Sequence, residues 1–354
     1  MIVVEAHRLE DFARRLLEAA GVPHDQAVTV ARSLVESNLR GHDSHGVMRI
    51  PYYVEAIREE RINLDAQLEV VARGPCHLVV DAGWGLGQVQ MHRLLEKLMS
   101  LAARNGVACA AAQRMGHIGR VGEYAEEAAA EGFVSLFLVN THGAAQRVAP
   151  PGGKAPRLGT NPICFGVPTG SDPIILDFCT AVVAEGKVRV RRIAGQPCPP
   201  GWLVDSEGMP TTDPNVLYRE PPGAILPFGG EKAYRGFGLG LVIDILAAGL
   251  SGGQVARPNP EPPLGNDLFA LVIEPEQFAG RDHFLQQARE LIEYVRSCPT
   301  AEGRGPVLLP GDPERRTLWE RKAKGIPLDE GNWAALTRLA EELGVKVPDV
   351  SSAS

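Results

Sequence analysis

Gly83-Trp84-Gly85-Leu86-Gly87 and, far downstream, Gly236-Phe237-Gly238-Leu239-Gly240 are the two glycine strings on which the fold turns. A Rossmann-type nucleotide domain carries Gly-x-Gly-x-x-Gly directly after a strand, where the last glycine lets a helix close onto the sheet. Both strings here read Gly-x-Gly-x-Gly. Neither has the third glycine at Rossmann spacing. The first follows only a short strand and the second follows none. They read instead as permissive backbone and close packing at helix starts, so a Rossmann crossover is not expected.

Working outward, Leu9, Phe12, Leu16, Leu17 and Ala20 recur at helical spacing and stop at Gly21. Asp25 to Leu39 repeats the pattern, and a third helix follows Pro51, giving an N-terminal helical layer. Leu68–Val71 and His77–Val80 flank Arg73-Gly74-Pro75 and predict a hairpin. A long helix over Gly87–Asn105 leads to a strand at Val107–Ala112, a helix at Gly122–Glu131 and a strand at Val134–Val139. Further on, short strands (Ile163–Val167, Ile174–Leu176, Val188–Ile193) lie between Gly/Pro-rich turns. Gly236–Leu250 predicts a buried apolar helix, Leu268–Ile273 a strand, and Arg281–Arg296, Pro313–Lys324 and Asn332–Leu343 three C-terminal helices. With 39 Gly and 28 Pro, turns are frequent, so the strands pair mostly antiparallel rather than through helical crossovers. The expected class is α/β, with a mixed, mainly antiparallel sheet and a helical layer from both chain ends.

Composition excludes several partners. Net charge is -7, and acidic and basic residues are interspersed without a basic block, which argues against nucleic acid. Apolar runs fall short of the roughly 20 residues that span a bilayer. The first residues, Met1 to Arg8, show no basic region followed by an apolar core, so no signal peptide is expected. The six cysteines (76, 109, 164, 179, 198, 298) are scattered, with no Cys-x-x-Cys pair. That predicts reduced thiols, a cytoplasmic protein and no zinc site.

Chemistry-bearing residues crowd into Gly41–Tyr53 (GHDSHGVMRIPYY). If His45 opens a helix, Arg49 lies one turn on and Tyr53 two turns on, along one face. That face offers an acid/base imidazole, a cation for a carboxylate and a phenol to orient it. Pro51 favours a helix beginning nearer Ile50, or a kink. In the plainer alternative, Gly41 ends one helix and Asp43 or Ser44 caps the next. Met115–Gly122 (MGHIGRVG) joins a strand to a helix. Its glycine-rich backbone can present amides to an anion, with His117 at the strand end. Asp177, expected at a strand end, can accept from a ribose hydroxyl, and Lys187 can meet a phosphate. Arg189, Arg191 and Arg192 sit around Val190 as on a half-exposed strand, where one could read a 2′-phosphate.

Taken in order, these stretches resemble the type-2 malate/L-lactate dehydrogenases. The matches are Gly41–Gly46, His117–Gly122, Leu158–Pro162 (LGTNP), Leu176–Ala181 with Gly186-Lys187, and Pro210–Pro214 (PTTDP). Arg235–Leu241 (RGFGLGL), Leu309–Asp312 (LPGD) and Gly325–Leu328 (GIPL) extend them over nearly the whole chain. The hydroxycarboxylate dehydrogenase branch is the nearest in pattern. The resemblance implies a homodimer interconverting a 2-hydroxy acid and a 2-oxo acid with NAD or NADP. It implies His45 as the acid/base, assisted by Ser44 and His117, with Arg49 and Tyr53 holding substrate. It further implies dinucleotide contacts at His45, Gly119, Arg120, Val121, Leu176, Asp177, Phe178, Cys179, Tyr234, Arg235, Asn266, Pro310, Gly311 and Asp312, and no metal.

The implied domains are an N-terminal segment (1–65), a substrate-side domain (66–118 with 255–300), a cofactor domain (119–254) and C-terminal helices (301–354) packed on the N-terminal segment. Two departures bear on the cofactor. Tyr234-Arg235 stands where the family commonly has His-Lys, and Ala181 stands where a serine is usual. The first of them motivates one rival, a non-catalytic binding protein on the same fold. A metal-dependent lyase using His42, His45 and His117 is a second.

Overall fold

Glycine-rich turns and short apolar strands resolve into one seven-stranded sheet in a computed structural model that describes residues 2–260, 263 and 265–352. In chain order the first elements are β1 (Ile2–Val4), α1 (Ala6–Ala19), α2 (His24–Leu39), α3 (Ile50–Arg58), β2 (Glu69–Arg73) and β3 (His77–Asp81). Next come α4 (Gly87–Asn105), β4 (Val107–Met115), α5 (Gly122–Ala130), β5 (Val134–Val139), β6 (Pro162–Val167), β7 (Ile174–Cys179) and α6 (Glu185–Ile193). Then follow β8 (Leu203–Val204), β9 (Pro210–Thr211), β10 (Ala224–Ile225), α7 (Ala233–Ser251) and β11 (Asn266–Ile273). The chain closes with α8 (Arg281–Arg296), α9 (Asp312–Lys324), β12 (Ile326–Leu328), α10 (Glu330–Leu343) and β13 (Ser351–Ser352).

The large sheet runs β2-β3-β4-β11-β5-β6-β7. Only β3 and β4 pair parallel; the other five neighbours are antiparallel. The expected border between 66–118/255–300 and 119–254 therefore falls between β11 and β5 of a continuous sheet. A second, three-stranded sheet (β12-β1-β13) ties the chain ends together. There α1, α2 and α3 share a core with Ile326, Leu328, Leu336 and Leu339 of the C-terminal segment. The mixed, mainly antiparallel α/β architecture with a helical layer from both ends is the one expected.

The glycine strings serve close packing. A Cβ on Gly87 would run into the backbone of Gly116 and His117, so only glycine lets α4 start against that loop. Gly240 plays the same part on α7, where the Thr180 hydroxyl would stand 2.7 Å from a Cβ.

Four expectations are corrected. Val188–Ile193, expected as a strand, belongs to the helix Glu185–Ile193. Val188 and Val190 suggested a period of two, but only Val188 is buried, and Arg189 reaches back one turn to Glu185 at 2.8 Å. Gly236–Leu250 is not buried all round. Gly236, Gly240, Ile243, Asp244, Ala247 and Ala248 are buried, while Leu241, Val242, Ile245 and Leu250 are exposed. By length and composition alone, Gly230–Ser251 is also apolar enough to cross a membrane, longer than the sequence runs suggested. Its inner face packs on the sheet, and Asp244 accepts from Asn140. Next, His45 does not open a helix: two 3-10 turns, Asp43–His45 and Val47–Arg49, precede α3, and Pro51 sits in its first turn. Finally, neither Asp43 nor Ser44 caps these turns. Asp43 is instead bound by Arg321 and Asn38.

Candidate active site

The loop after α2 is held from several sides. Asn38 Nδ2 donates to Asp43 at 2.6 Å, and Val47 N donates to Asn38 Oδ1 at 2.9 Å. Arg321 of α9 forks onto the Asp43 carboxylate at 2.6 and 3.0 Å. A bidentate pair of this kind fixes geometry as well as charge. Ser44 is pressed by α6: a Cβ on Gly186 would lie 2.5 Å from the Ser44 Cβ.

Within this frame His45 and His117 stack at 5.5 Å between ring centroids. His45 Nδ1 lies 3.0 Å from Ser44 Oγ. When Nδ1 carries the hydrogen and donates to Ser44, Nε2 is left as the free base. Tyr53, 1% exposed, accepts from Gln88 Nε2 at 2.9 Å and donates its own proton to His117 Nδ1 at 2.6 Å. The phenol thus orients the second imidazole and not a continuous helical face, since His45, Arg49 and Tyr53 converge across a kinked loop.

The electrostatics follow from burial. Desolvation first, and then the charges of Arg49, His42 and Arg120, push the His45 imidazole down to about 3. His117 is also driven well below its usual range, by burial and then by Arg49 and His45. Both rings are therefore neutral near pH 7. Arg49 donates Nε to the Ser44 carbonyl at 2.7 Å, and among the described residues it forms no ion pair. A half-buried guanidinium with no carboxylate in ion-pair contact, beside a neutral imidazole, can receive a carboxylate ligand.

A second group of candidates lies alongside. The amide groups of Gly119, Arg120 and Val121 donate to no acceptor among the described residues, although all three residues are buried. Backbone amides without a partner in a glycine-containing turn can meet an anionic ligand. Arg120 pairs with Glu126 at 2.8 Å, yet its Nε has no partner. Asp177 accepts from Gly122 N at 2.8 Å, and burial raises its carboxyl above the usual range against the pull of Arg120 and His42. Asp177 lies inside β7, not beyond its end, and β7 is the edge of the sheet. Ile175 N donates outward to Pro310 O at 3.3 Å. By the period of two, Asp177 and Cys179 present backbone groups to the same free edge. The Pro310–Asp312 turn closes one end of it, with Asp312 accepting from Leu309 N at 2.8 Å. A dinucleotide fits this set: unpaired amides, a buried cation and a free strand edge.

Other candidates are placed differently. Asn266 is buried and accepts from Ile118 N at 3.1 Å while donating to Asn140 O, so it carries the loop that carries His117. Leu176 and Phe178 alternate with Asp177 and Cys179 along β7. Tyr234 and Arg235 open α7, exposed and bonded to each other at 3.2 Å. Among the described residues they form no hydrogen bond or ion pair with the His45 cluster; Tyr234 borders a cavity with Pro150–Lys154. Sequence reasoning missed Gln88, Asn38 and Arg321, which touch the site residues from behind. Gln88 follows the first glycine string directly, and that adjacency was the available signal.

The sequence profile of the malate/L-lactate dehydrogenases matches residues 4–337. The chain belongs to the malate/L-lactate dehydrogenase family. It is 35% identical over 347 residues to hydroxycarboxylate dehydrogenase B of Escherichia coli O157:H7, covering 96% of this chain and 94% of that one. It is 36% identical over 340 residues to an L-lactate dehydrogenase of Cupriavidus necator, covering 95% and 96%. The structure of malate dehydrogenase from Pyrococcus horikoshii superposes with a TM-score of 0.87 at 32% identity, covering 98% and 96%.

Proposed function

We propose that the chain is an NAD- or NADP-dependent dehydrogenase that interconverts a 2-hydroxy acid and a 2-oxo acid. The observation that carries it is Arg49, half-buried without a carboxylate in ion-pair contact, beside a His45 imidazole held neutral. In oxidation, Arg49 holds the substrate carboxylate and His45 Nε2 accepts the hydroxyl proton as C2 loses a hydride. A bound nicotinamide dinucleotide supplies the acceptor, or in reverse the donor, of that hydride. Neutralising Arg49 removes one of the charges that depress His45, so substrate binding raises the imidazole toward the range where it can hold the proton it receives. Ser44 keeps the His45 tautomer, and Tyr53 with His117 forms the opposite wall.

Gly119, Arg120, Val121, Asp177, Cys179 and the Pro310–Asp312 turn would hold the dinucleotide, with Leu176 and Phe178 lining the strand and Asn266 supporting the loop. Tyr234 and Arg235, at the start of α7, are read as further dinucleotide contacts, with Arg235 the candidate for a phosphate. No group of three His, Cys, Asp or Glu able to hold a metal ion occurs among the described residues, so the lyase reading has no cluster to rest on. We read the chain as a cytoplasmic homodimer, for which the exposed apolar face of α7 is the supporting feature, and the division 1–65, 66–118/255–300, 119–254 and 301–354 as its domains.

The test is a panel of 2-oxo acids with NADH and NADPH, run with and without chelator, alongside sedimentation. Turnover insensitive to chelator by a dimer is expected. No turnover of any 2-oxo acid with either dinucleotide would return the chain to the binding-protein alternative.

A further inference from the structure

The segment that sequence periodicity cast as a strand forms the wall of a cavity. As a helix, α6 sets Gly186 against Ser44 and turns Arg189, Val190, Ile193 and Ala194 toward Met48 and the first turn of α10. These residues line a half-open cavity of about 390 Å³. Met48 lies between His45 and Arg49 in the chain, and Arg189 and Glu185 are close enough to Arg49 to act on its charge. The cavity therefore borders the loop that carries His45 and Arg49, with Met48 as the shared residue.

Its α6 wall is aliphatic and its rim is charged. Val190 is 47% and Ile193 64% exposed, so α6 presents aliphatic surface here. The Arg189 guanidinium is already matched by Glu185 at 2.8 Å, and Glu185 is fixed in turn by the Tyr218 hydroxyl at 2.5 Å. On the facing side Asp329 and Glu330 bring carboxylates, with Asp329 capping α10 through Asn332 N at 2.9 Å. A second anionic group on the substrate would find Arg189 already taken by Glu185. A methyl group would fill only a small part of the volume and leave the aliphatic wall wet.

We propose that this cavity receives the C3 substituent of the substrate, and that the preferred substrate is a 2-hydroxy or 2-oxo acid with an uncharged, apolar side chain larger than methyl. Val190 and Ile193 are then specificity-determining residues. The proposal rests on the dehydrogenase reading above, and its test separates the two. Three acids are compared by kcat/KM: pyruvate, oxaloacetate and the branched 4-methyl-2-oxopentanoate. Each is assayed with NADH and NADPH for the wild type, Ile193→Asp and Val190→Trp. Both positions are exposed, so folding is retained, and thermal melting checks it.

The wild type is expected to favour the branched acid over pyruvate and oxaloacetate by about tenfold or more, the scale of a small apolar group in a fitted pocket. Each variant is expected to lower the ratio to pyruvate by about tenfold, one by charging the wall and the other by filling the space. A wild type that favours oxaloacetate, or a ratio unchanged in both variants, overturns the proposal while the dehydrogenase reading stands. Inactivity of the folded wild type toward all three acids, and every other 2-oxo acid, overturns both.

Discussion

Two half-buried histidine sites in this chain receive opposite treatment. His45 and His117 lie among Arg49, Arg120 and Tyr53, with no carboxylate against either ring, and both are held neutral. His92, on α4 one turn beyond Gln88, has Glu127 at 2.7 Å from Nδ1 and Glu123 at 3.2 Å from Nε2. Burial alone would depress His92, but the bonds to Glu123 and Glu127 outweigh it and raise the imidazole to about 9. Ser33 completes that cluster by donating to Glu123 at 2.6 Å. One site satisfies its cation internally; the other keeps a cation unsatisfied and an imidazole unprotonated. The difference teaches that a guanidinium without an ion-pair partner beside a neutral imidazole can still take an anion, which the satisfied cluster cannot.

The sharpest way to break this comparison is to exchange the side chains' consequences. His45→Gln should lower kcat in both directions by about a thousandfold, the range of a lost acid/base group. Dinucleotide binding, followed by fluorescence, should persist, because the amides of Gly119 to Val121 are untouched. Near-normal turnover in this variant would remove His45 from the proton transfer.

Arg49→Lys tests whether Arg49 takes that anion. Lysine keeps the charge and loses the fork, and weakening a desolvated charge pair costs roughly 2 to 5 kcal/mol. The expected result is a rise in KM for every 2-oxo acid the enzyme accepts, with kcat less affected. A KM that stays put for all of them would show that the carboxylate is held elsewhere.

How much of this was legible in sequence depends on which residues are asked. The crowding of His45, Arg49 and Tyr53 was visible, and the structure does converge them. Their geometry was not, because Gly46 and Pro51 break the segment into turns whose direction is set by Asn38 and Arg321. Arg321 lies on α9, and no local pattern in Gly41–Tyr53 points to it. The missing Rossmann spacing was enough to exclude that crossover, and the packing at Gly87 shows what the glycines do instead. Val188–Ile193 failed for a plain reason. Val188 and Val190 carry a two-residue period, while the Glu185–Arg189 spacing carries a helical one, and the burial of Val188 alone settles which operates. The exposed face of α7 was equally illegible, since an apolar residue carries no mark of whether something covers it.

The smallest effect expected is at the satisfied site, and it is one of stability and not of turnover. The folded-state pKa of His92 is raised above its ordinary 6.5. A raised group stabilises the fold fully below the unfolded value and loses that contribution as pH climbs through the folded one. The cluster should therefore be strongest at pH 6.5 and below, and fade as pH approaches about 9. His92→Gln keeps an amide donor for one glutamate but removes the charge. It should lower the unfolding free energy by about 2 kcal/mol near pH 6, the scale of hydrogen bonds to charged groups. Denaturant melts of the two proteins should draw together toward pH 9, with kcat largely unaltered throughout. A gap that stays constant across that interval would mean His92 acts by packing against Tyr124, 5.3 Å away between ring centroids, and not by its charge. In that case the contrast with His45 would rest on shape alone, and the argument that an unpaired cation marks the functional site would have to stand on Arg49 without its counterpart.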